Sequence, residues 1–369
     1  MIEKTVVYCA FCDYHMLIRS QKMNKRERVR AAITHHQPDK VPWMINLTTP
    51  ARNMVADYYG DDSLRDPVAL WEWLDNHIRI VDPSHIGFHE LEEEVKPGFW
   101  RDKFGIIWDT RGLYGEGEWG RPMNCLLPEP TLANYSFPEP PGPEHFAHYP
   151  QFIEDNKDCF LVGVAGHLFE PAWALRGMED LLVDMSLNPS FVHDLLDAIT
   201  DYYLAVIDQV IQSNVDACHF GDDWGSERAP IMGPKLWRKY IKPRMAKMFA
   251  RIKEAGKFVF LHSDGNLSAI FEDLIEIGLD VYNPLQPEVV DIYEVKKKYG
   301  DRLCFWGGIG LRSALLLDNP QAVRGSMKRL LSEIGAGGGF IVAQAHPDGI
   351  LGDVPVENIV AVLETVKNQ

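Results

Sequence analysis

The stretch KFVFLHSDGNLSAIFEDLIEIGLDVYNPLQPEVVDIYEVKKKYGDRLCFWGG, residues 257–308, decides how the chain folds. It holds three short apolar runs, KFVFLH (257–262), LDVYNPL (279–285) and RLCFWGG (302–308). Runs that are apolar almost throughout suit parallel strands covered on both faces. Helical stretches lie between them: LSAIFEDLIEI ends at Gly278 and VVDIYEVKKKY at Gly300. Glycine just past a helical stretch is a stop signal.

Outward from this unit the alternation continues. Upstream lie VPWMINL (41–47), HIRIV (77–81), CFLVGVAG (159–166) and VDACHFG (215–221), and downstream GFIVAQA (339–345). Asn24 is placed to cap the helix NKRERVRAAITHH, and Pro189 opens a long amphipathic stretch that runs to Asn214. Segment 234–255 opens on Pro234 and stops at Gly256, PQAVRGSMKRLLSEI ends at Gly335, and VENIVAVLETVK closes the chain. Eight strand–helix repeats predict an α/β fold, a single (β/α)8 TIM barrel from residue 23 to 369. Residues 83–158 are too many for a crossover and are rich in Pro, Gly and Trp, so they are expected to form an insertion between strands 2 and 3, a hairpin or lid. A doubly wound dinucleotide fold would need G-x-G-x-x-G after its first strand. The nearest match, Gly308-Ile-Gly310-Leu-Arg-Ser313, comes late and lacks the last glycine.

The composition is that of a globular chain: 369 residues, 46% hydrophobic and 24% charged. With 37 basic and 53 acidic residues the net charge is −16, a field that repels phosphate backbones and argues against nucleic acid as a partner. No apolar run approaches the roughly 20 residues that span a bilayer, so no membrane association is expected. Six cysteines in so long a chain do not make a disulfide framework, which points to a reducing, cytoplasmic setting. Residues 1–22 read as an N-terminal extension; Cys9-x-x-Cys12 with His15 could begin a metal site, but no second pair lies nearby.

In a barrel the active groups sit just past the C-terminal ends of the strands. Here those positions carry Asn46 and Thr48, Asp82 and His85, His167 and Glu170, Asp222 and Asp223, His262-Ser263-Asp264, Asn283 and Gln286, Trp306, and Gln344, His346 and Asp348. The adjacent carboxylates Asp222 and Asp223 repel one another, so one could hold a proton near neutrality. The alternative is that one caps a helix or pairs with Arg228. Residues i and i+2 of a strand share a side, so His262 and Asp264 can reach one ion or one substrate atom. His346 could complete the set. Imidazole with carboxylate suits zinc or another divalent metal; the alternative is a metal-free pair in which Asp264 orients His262. Asn46, His167, Asn283, Gln286 and Trp306 are the candidate substrate-binding residues.

Several segments, in order, resemble the uroporphyrinogen decarboxylase superfamily: NKRERVRAAITHHQPDKVPW, LRGMEDLLVDMSLNP, FGDDWGSERAPIMGPKLWRKYIKP, FLHSDGN, VYNPLQP, GDRLCFWGGI and GGGFIVAQAHPDGILGDVPVENI. The resemblance implies a (β/α)8 barrel with its site at the C-terminal mouth. It also implies one of two chemistries. Uroporphyrinogen decarboxylases remove acetate carboxylates from a tetrapyrrole without a cofactor and carry an R-Q-A-G-R segment after the first strand. The matching stretch here is MINLTTPARN. Corrinoid-dependent methyltransferases of the superfamily hold zinc with H-x-C-G after strand five and a later cysteine. This chain keeps that frame as His262-Ser263-Asp264-Gly265, with Asp in place of Cys, and offers His346 and Asp348 near strand eight.

The resemblance therefore leads to a methyltransferase that moves a methyl group between a methyl-corrinoid on a carrier protein and a small-molecule acceptor. His262, Asp264 and His346 would bind the acceptor or a metal, Asp222 and Asp223 would handle a proton, and Asn46, Asn283 and Gln286 would orient the ligand. A carboxylate decarboxylase and a non-catalytic tetrapyrrole-binding or corrinoid-binding protein remain open beside it. Likeness to the superfamily also suggests a homodimer.

Overall fold

A computed structural model describes residues 22–83, 91–111, 120–310, 319–346 and 349–369. Among the described residues, eleven strands form two sheets. In chain order they are β1 (Ile78–Val81), β2 (Leu91–Lys96), β3 (Phe99–Asp102), β4 (Ile107–Asp109), β5 (Arg121–Pro122), β6 (Phe160–Gly166), β7 (Ala217–Gly221), β8 (Phe258–His262), β9 (Val281–Leu285), β10 (Cys304–Ile309) and β11 (Phe340–Gln344). The main sheet has seven strands in the order β1-β6-β7-β8-β9-β10-β11, and every pairing in it is parallel. Each of these strands falls inside a run expected from the sequence, except that β10 continues one residue past its run, to Ile309.

The eighth expected strand, 41–47, is not a regular strand. Trp43 bridges Val342 and Leu47 bridges Ile350, both in parallel sense. On the other side, the His77 N–H donates to the Trp43 carbonyl at 2.9 Å. The Asn76 side chain bonds both the N–H and the carbonyl of Ile45, at 2.8 and 2.9 Å. The Trp43 N–H donates to His77 Nδ1 at 3.3 Å. Part of the ladder is thus carried by side chains, and Pro42 has no N–H to give. Side chains of the segment still alternate: Trp43, Ile45 and Leu47 join the outer core under the helices, whereas Met44 joins a second cluster with Ile78, Phe160, Ala217, Phe260 and Ile341.

That second cluster fixes the inner face of the sheet. Ala217, His219 and Gly221 share one side of β7, and Phe258, Phe260 and His262 one side of β8. Helices cover the other face. Asn24 caps its helix as expected, and the structure adds a reciprocal bond that makes it a capping box: Asn24 accepts from the Glu27 N–H while Glu27 accepts from the Asn24 N–H. The long helix Pro189–Val210 buries Leu195, Ile199, Tyr202, Val206 and Val210 at spacings of three and four. Segment 234–255 is two helices, Gly233–Tyr240 and Lys242–Glu254, because Pro243 removes a helical donor near the break. Segment 320–334 runs as helix Pro320–Arg329 and then widens to a π turn over Leu330–Ile334.

The hairpin or lid expected within 83–158 meets a small antiparallel sheet, β2-β3-β4-β5. Asp102 pins its turn, accepting from the Ile106 N–H at 2.9 Å and the Trp108 indole at 2.8 Å. His85, Asp348, Ser313, Cys9, Cys12 and His15 lie outside the described residues.

Candidate active site

The C-terminal ends of three neighbouring strands, β7, β8 and β9, build the site. The loops after β7 and β8 are stitched to one another. The Trp224 N–H donates to Ser263 Oγ at 2.9 Å, the Asp264 N–H to Asp223 Oδ1 at 2.8 Å, and the Asn266 N–H to the Ser226 carbonyl at 2.8 Å. Gly225 and Gly265 let the two backbones touch. A Cβ on Gly225 would lie 2.2 Å from the Asp264 carbonyl oxygen, and Gly265 has φ +88°. The Tyr282 hydroxyl reaches the Ser263 carbonyl at 2.9 Å and the Gly265 carbonyl at 3.2 Å.

This frame brings Asp223, His262 and Asp264 together, with one ligand atom of each within 4.8 Å of the others. His262 Nδ1 lies 2.7 Å from Asn283 Oδ1 and therefore donates to it, which leaves Nε2 facing the carboxylates, 3.8 Å from Asp223 Oδ1. Asn283 is held in turn by the Trp306 carbonyl at 3.1 Å. Gln286 donates to Asp264 Oδ1 at 2.9 Å and accepts from the Gly265 N–H at 2.8 Å. Burial alone would lower the His262 pKa, but Asp223, Asp264, the Asn283 bond and Glu170 more than offset it, so the net shift is upward.

Asp223, and not the expected His346, is the third residue of the group that could hold an ion. The reason is strand order: β7 and β8 are neighbours, whereas β11 lies three strands from β8. His346 is not part of the three-residue group. Its carbonyl accepts from Gln344 at 3.3 Å, and Gln344 Oε1 takes the Asn46 N–H at 3.1 Å, so Asn46 and His346 stand together on the β11 side.

Asp222 is buried and fully engaged. It accepts from the Phe169 N–H, from the Glu170 N–H at 2.8 Å and from the Trp224 indole at 2.5 Å. It therefore caps the helix Phe169–Arg176, which has no cap of its own. Proton handling was expected of Asp222 and Asp223; Glu170 is the largely buried carboxyl beside them. His167 Nδ1 lies 3.0 Å from Glu170 Oε2. Burial, then the charge of Asp223, pushes the Glu170 carboxyl up to about 8. Burial and Glu170 also push Asp222 upward, but its amide and indole donors favour the charged form, so the proton of the pair rests on Glu170.

His219, on the inner face of β7, went unnoticed within an apolar run. Burial, then His262 and His167, lowers it to about 3, so it is a neutral imidazole. Trp306 packs edge-on against Phe260 and lies beside His219, with ring centroids at 5.9 and 6.3 Å. It belongs to the inner core rather than the rim, and its buried indole nitrogen has no hydrogen-bond partner among the described residues.

The family model for uroporphyrinogen decarboxylase (URO-D) matches residues 153–369. Among curated proteins, the uroporphyrinogen decarboxylase of Coxiella burnetii is 26% identical over 184 residues, 49% of this chain and 48% of that one. The enzyme of the same name from Chlorobaculum tepidum is 24% identical over 192 residues, 50% and 51% of the two chains. The chain thus spans about half the length of the curated relatives it matches. Among solved structures, a methyltransferase from Methanosarcina mazei superposes with a TM-score of 0.67 at 16% identity, covering 94% of this chain and 99% of that one. That likeness shows a shared fold.

Proposed function

The chain belongs to the uroporphyrinogen decarboxylase family, and from that premise we propose that it is a methyltransferase working from the mouth of an eight-stranded barrel. Segment 41–48 would be the eighth strand, closing the ring between β11 and β1, with 83–158 as an insertion beside the mouth. The methyl group would move between a corrinoid on its own carrier protein and a small heteroatom acceptor. The observation that carries the proposal is the convergence of Asp223, His262 and Asp264.

One imidazole nitrogen and two carboxylates fit zinc or a similar divalent ion, and catalytic zinc commonly has three protein ligands. Asn283 fixes the His262 ring and Gln286 fixes Asp264, the outer bonds that such ligands need. Bound there, the ion would supply Lewis acidity to the acceptor heteroatom. The chain's own part is positional and protonic. Asn46, Asn283 and Gln286 orient the ligand, and Glu170, beside His167, exchanges the proton: protonated, it gives it to the heteroatom that loses its methyl group to the corrinoid, and in the reverse direction its ionised form takes up the proton that the acceptor sheds. Asp222 holds Glu170 in place. His346 and Trp306 keep a place in the proposal as second wall and floor.

Decarboxylation of a polycarboxylate fits less well, because the mouth presents Glu170, Asp222, Asp223 and Asp264 where such a substrate needs cations. No described helix is long and apolar enough to cross a membrane. We place the protein in the cytoplasm, as a homodimer. The test is demethylation of methylcobalamin by the purified protein with thiol or folate acceptors. Turnover should occur with zinc and vanish in His262→Ala. Absence of turnover with every acceptor, together with CO₂ release from uroporphyrinogen, would replace this proposal with the decarboxylase.

A further inference from the structure

β7 turns Ala217, His219 and Gly221 to the inner face of the sheet. The outward residues Cys218 and Phe220 are completely buried, whereas His219 keeps part of its surface open. Helices cover the outer face, so that open surface fronts the space inside. In register, His219 stands beside Val164 of β6 and Phe260 of β8, and Gly221 stands beside His262. His219 therefore lies two residues below the level of His262, roughly 6–7 Å at the usual rise of a strand. Gly221 places no side chain between the two levels, and a Cβ there would lie 3.2 Å from the His167 ring.

The other two imidazoles of the site are held by the chain, His167 by Glu170 and His262 by Asn283. His219 has no hydrogen bond among the described residues. A neutral imidazole carries one donor and one acceptor, and withdrawing both from water unpaired is costly. Nothing nearby takes the donor. Val164 and Phe260 have no polar side-chain atoms, and Trp306, with ring centres 6.3 Å apart, has only a donor. The surroundings are apolar, so a charged group brought there would lose its water without gaining a counter-charge.

We propose that His219 determines specificity at the floor of the site, hydrogen-bonding an uncharged oxygen at the end of the acceptor opposite its reacting heteroatom. The inference rests on the methyl-transfer reading: the heteroatom sits at Asp223, His262 and Asp264, and the tail reaches down past Gly221. A hydroxyl or carbonyl tail pairs with the imidazole. An alkyl tail leaves it unpaired, and a carboxylate tail enters an apolar layer.

Three thiols of matched length separate these cases: 3-mercapto-1-propanol, 1-butanethiol and 3-mercaptopropionate. Each is titrated calorimetrically into the zinc-loaded full chain. The hydroxy-thiol should bind most tightly. His219→Phe keeps a ring and removes both nitrogens, so it should weaken the hydroxy-thiol about tenfold, the scale of one net hydrogen bond, and leave butanethiol unchanged. His219→Leu should show the same loss if the larger ring does not fit, and His219→Gln, which keeps a donor and an acceptor, should retain the preference. Equal affinity of the parent for hydroxy-thiol and butanethiol, an unchanged ratio in the Phe and Leu variants, or tightest binding of mercaptopropionate would overturn the inference and leave the ion site standing. Binding of no thiol to the zinc-loaded parent would overturn the methyl-transfer reading, and this inference with it.

Discussion

Asp222 and Glu170 belong to one carboxyl cluster and do different work. Asp222 gives its oxygens to amides and an indole, so Asp222→Asn should cost about 2 kcal/mol of stability, as lost charge-assisted bonds do. Urea unfolding measures that. Glu170 accepts from fewer groups, so Glu170→Gln should melt as the parent does and lose about 100-fold in methylcobalamin turnover, the usual scale of a lost acid or base. The adjacent pair Asp222-Asp223 was legible in the sequence, but its division of labour was not. It depends on amides of a helix some 50 residues earlier, which no local pattern reveals. Glu170 stood among the strand-end groups, but its burial is a property of the packed mouth. At the opposite end of the strands, His77 accepts from the Trp43 N–H and is lowered to about 3 by burial, then by Arg28 and Lys25. The folded state keeps it neutral while the unfolded chain protonates near 6.5. Stability should therefore fall as pH drops from about 6.5 towards 3, by at most about 1.4 kcal/mol per pH unit from this group. His77→Gln keeps an acceptor that does not titrate and should flatten that slope in paired urea titrations.

Seven parallel strands and the helix caps at Asn24 and Gly256 were legible because apolar runs and capping residues act locally. Segment 41–48 has the alternation of a strand, but on its β1 side much of the pairing is made by the side chains of Asn76 and His77, and such pairing leaves no mark in a hydrophobic pattern. Asn76→Ala would strand a buried N–H and a buried carbonyl of Ile45. The expected cost is about 2–4 kcal/mol, read from thermal or urea unfolding. The β7 and β8 loops make the same point in backbone terms. Gly265 combines φ +88° with contact to Gly225, so Gly265→Ala should part the two loops. Ion affinity should fall by at least tenfold while the far-ultraviolet circular dichroism stays unchanged.

At the scale of the whole molecule, a parallel sheet directs its strand ends to one side, and two neighbouring ends, β7 and β8, deliver an imidazole and two carboxylates to one point. His262 and Asp264 could be paired from sequence because they share a strand end. Asp223 could be matched to them only once β7 and β8 were seen as neighbours, which displaced the more distant His346. Metal content after exhaustive dialysis reports on that convergence most directly. One equivalent of divalent ion should remain with the parent protein and with His346→Ala. It should be lost in each of Asp223→Asn, His262→Ala and Asp264→Asn. Full retention in those three variants, or a parent protein that holds no ion after zinc loading, would contradict it.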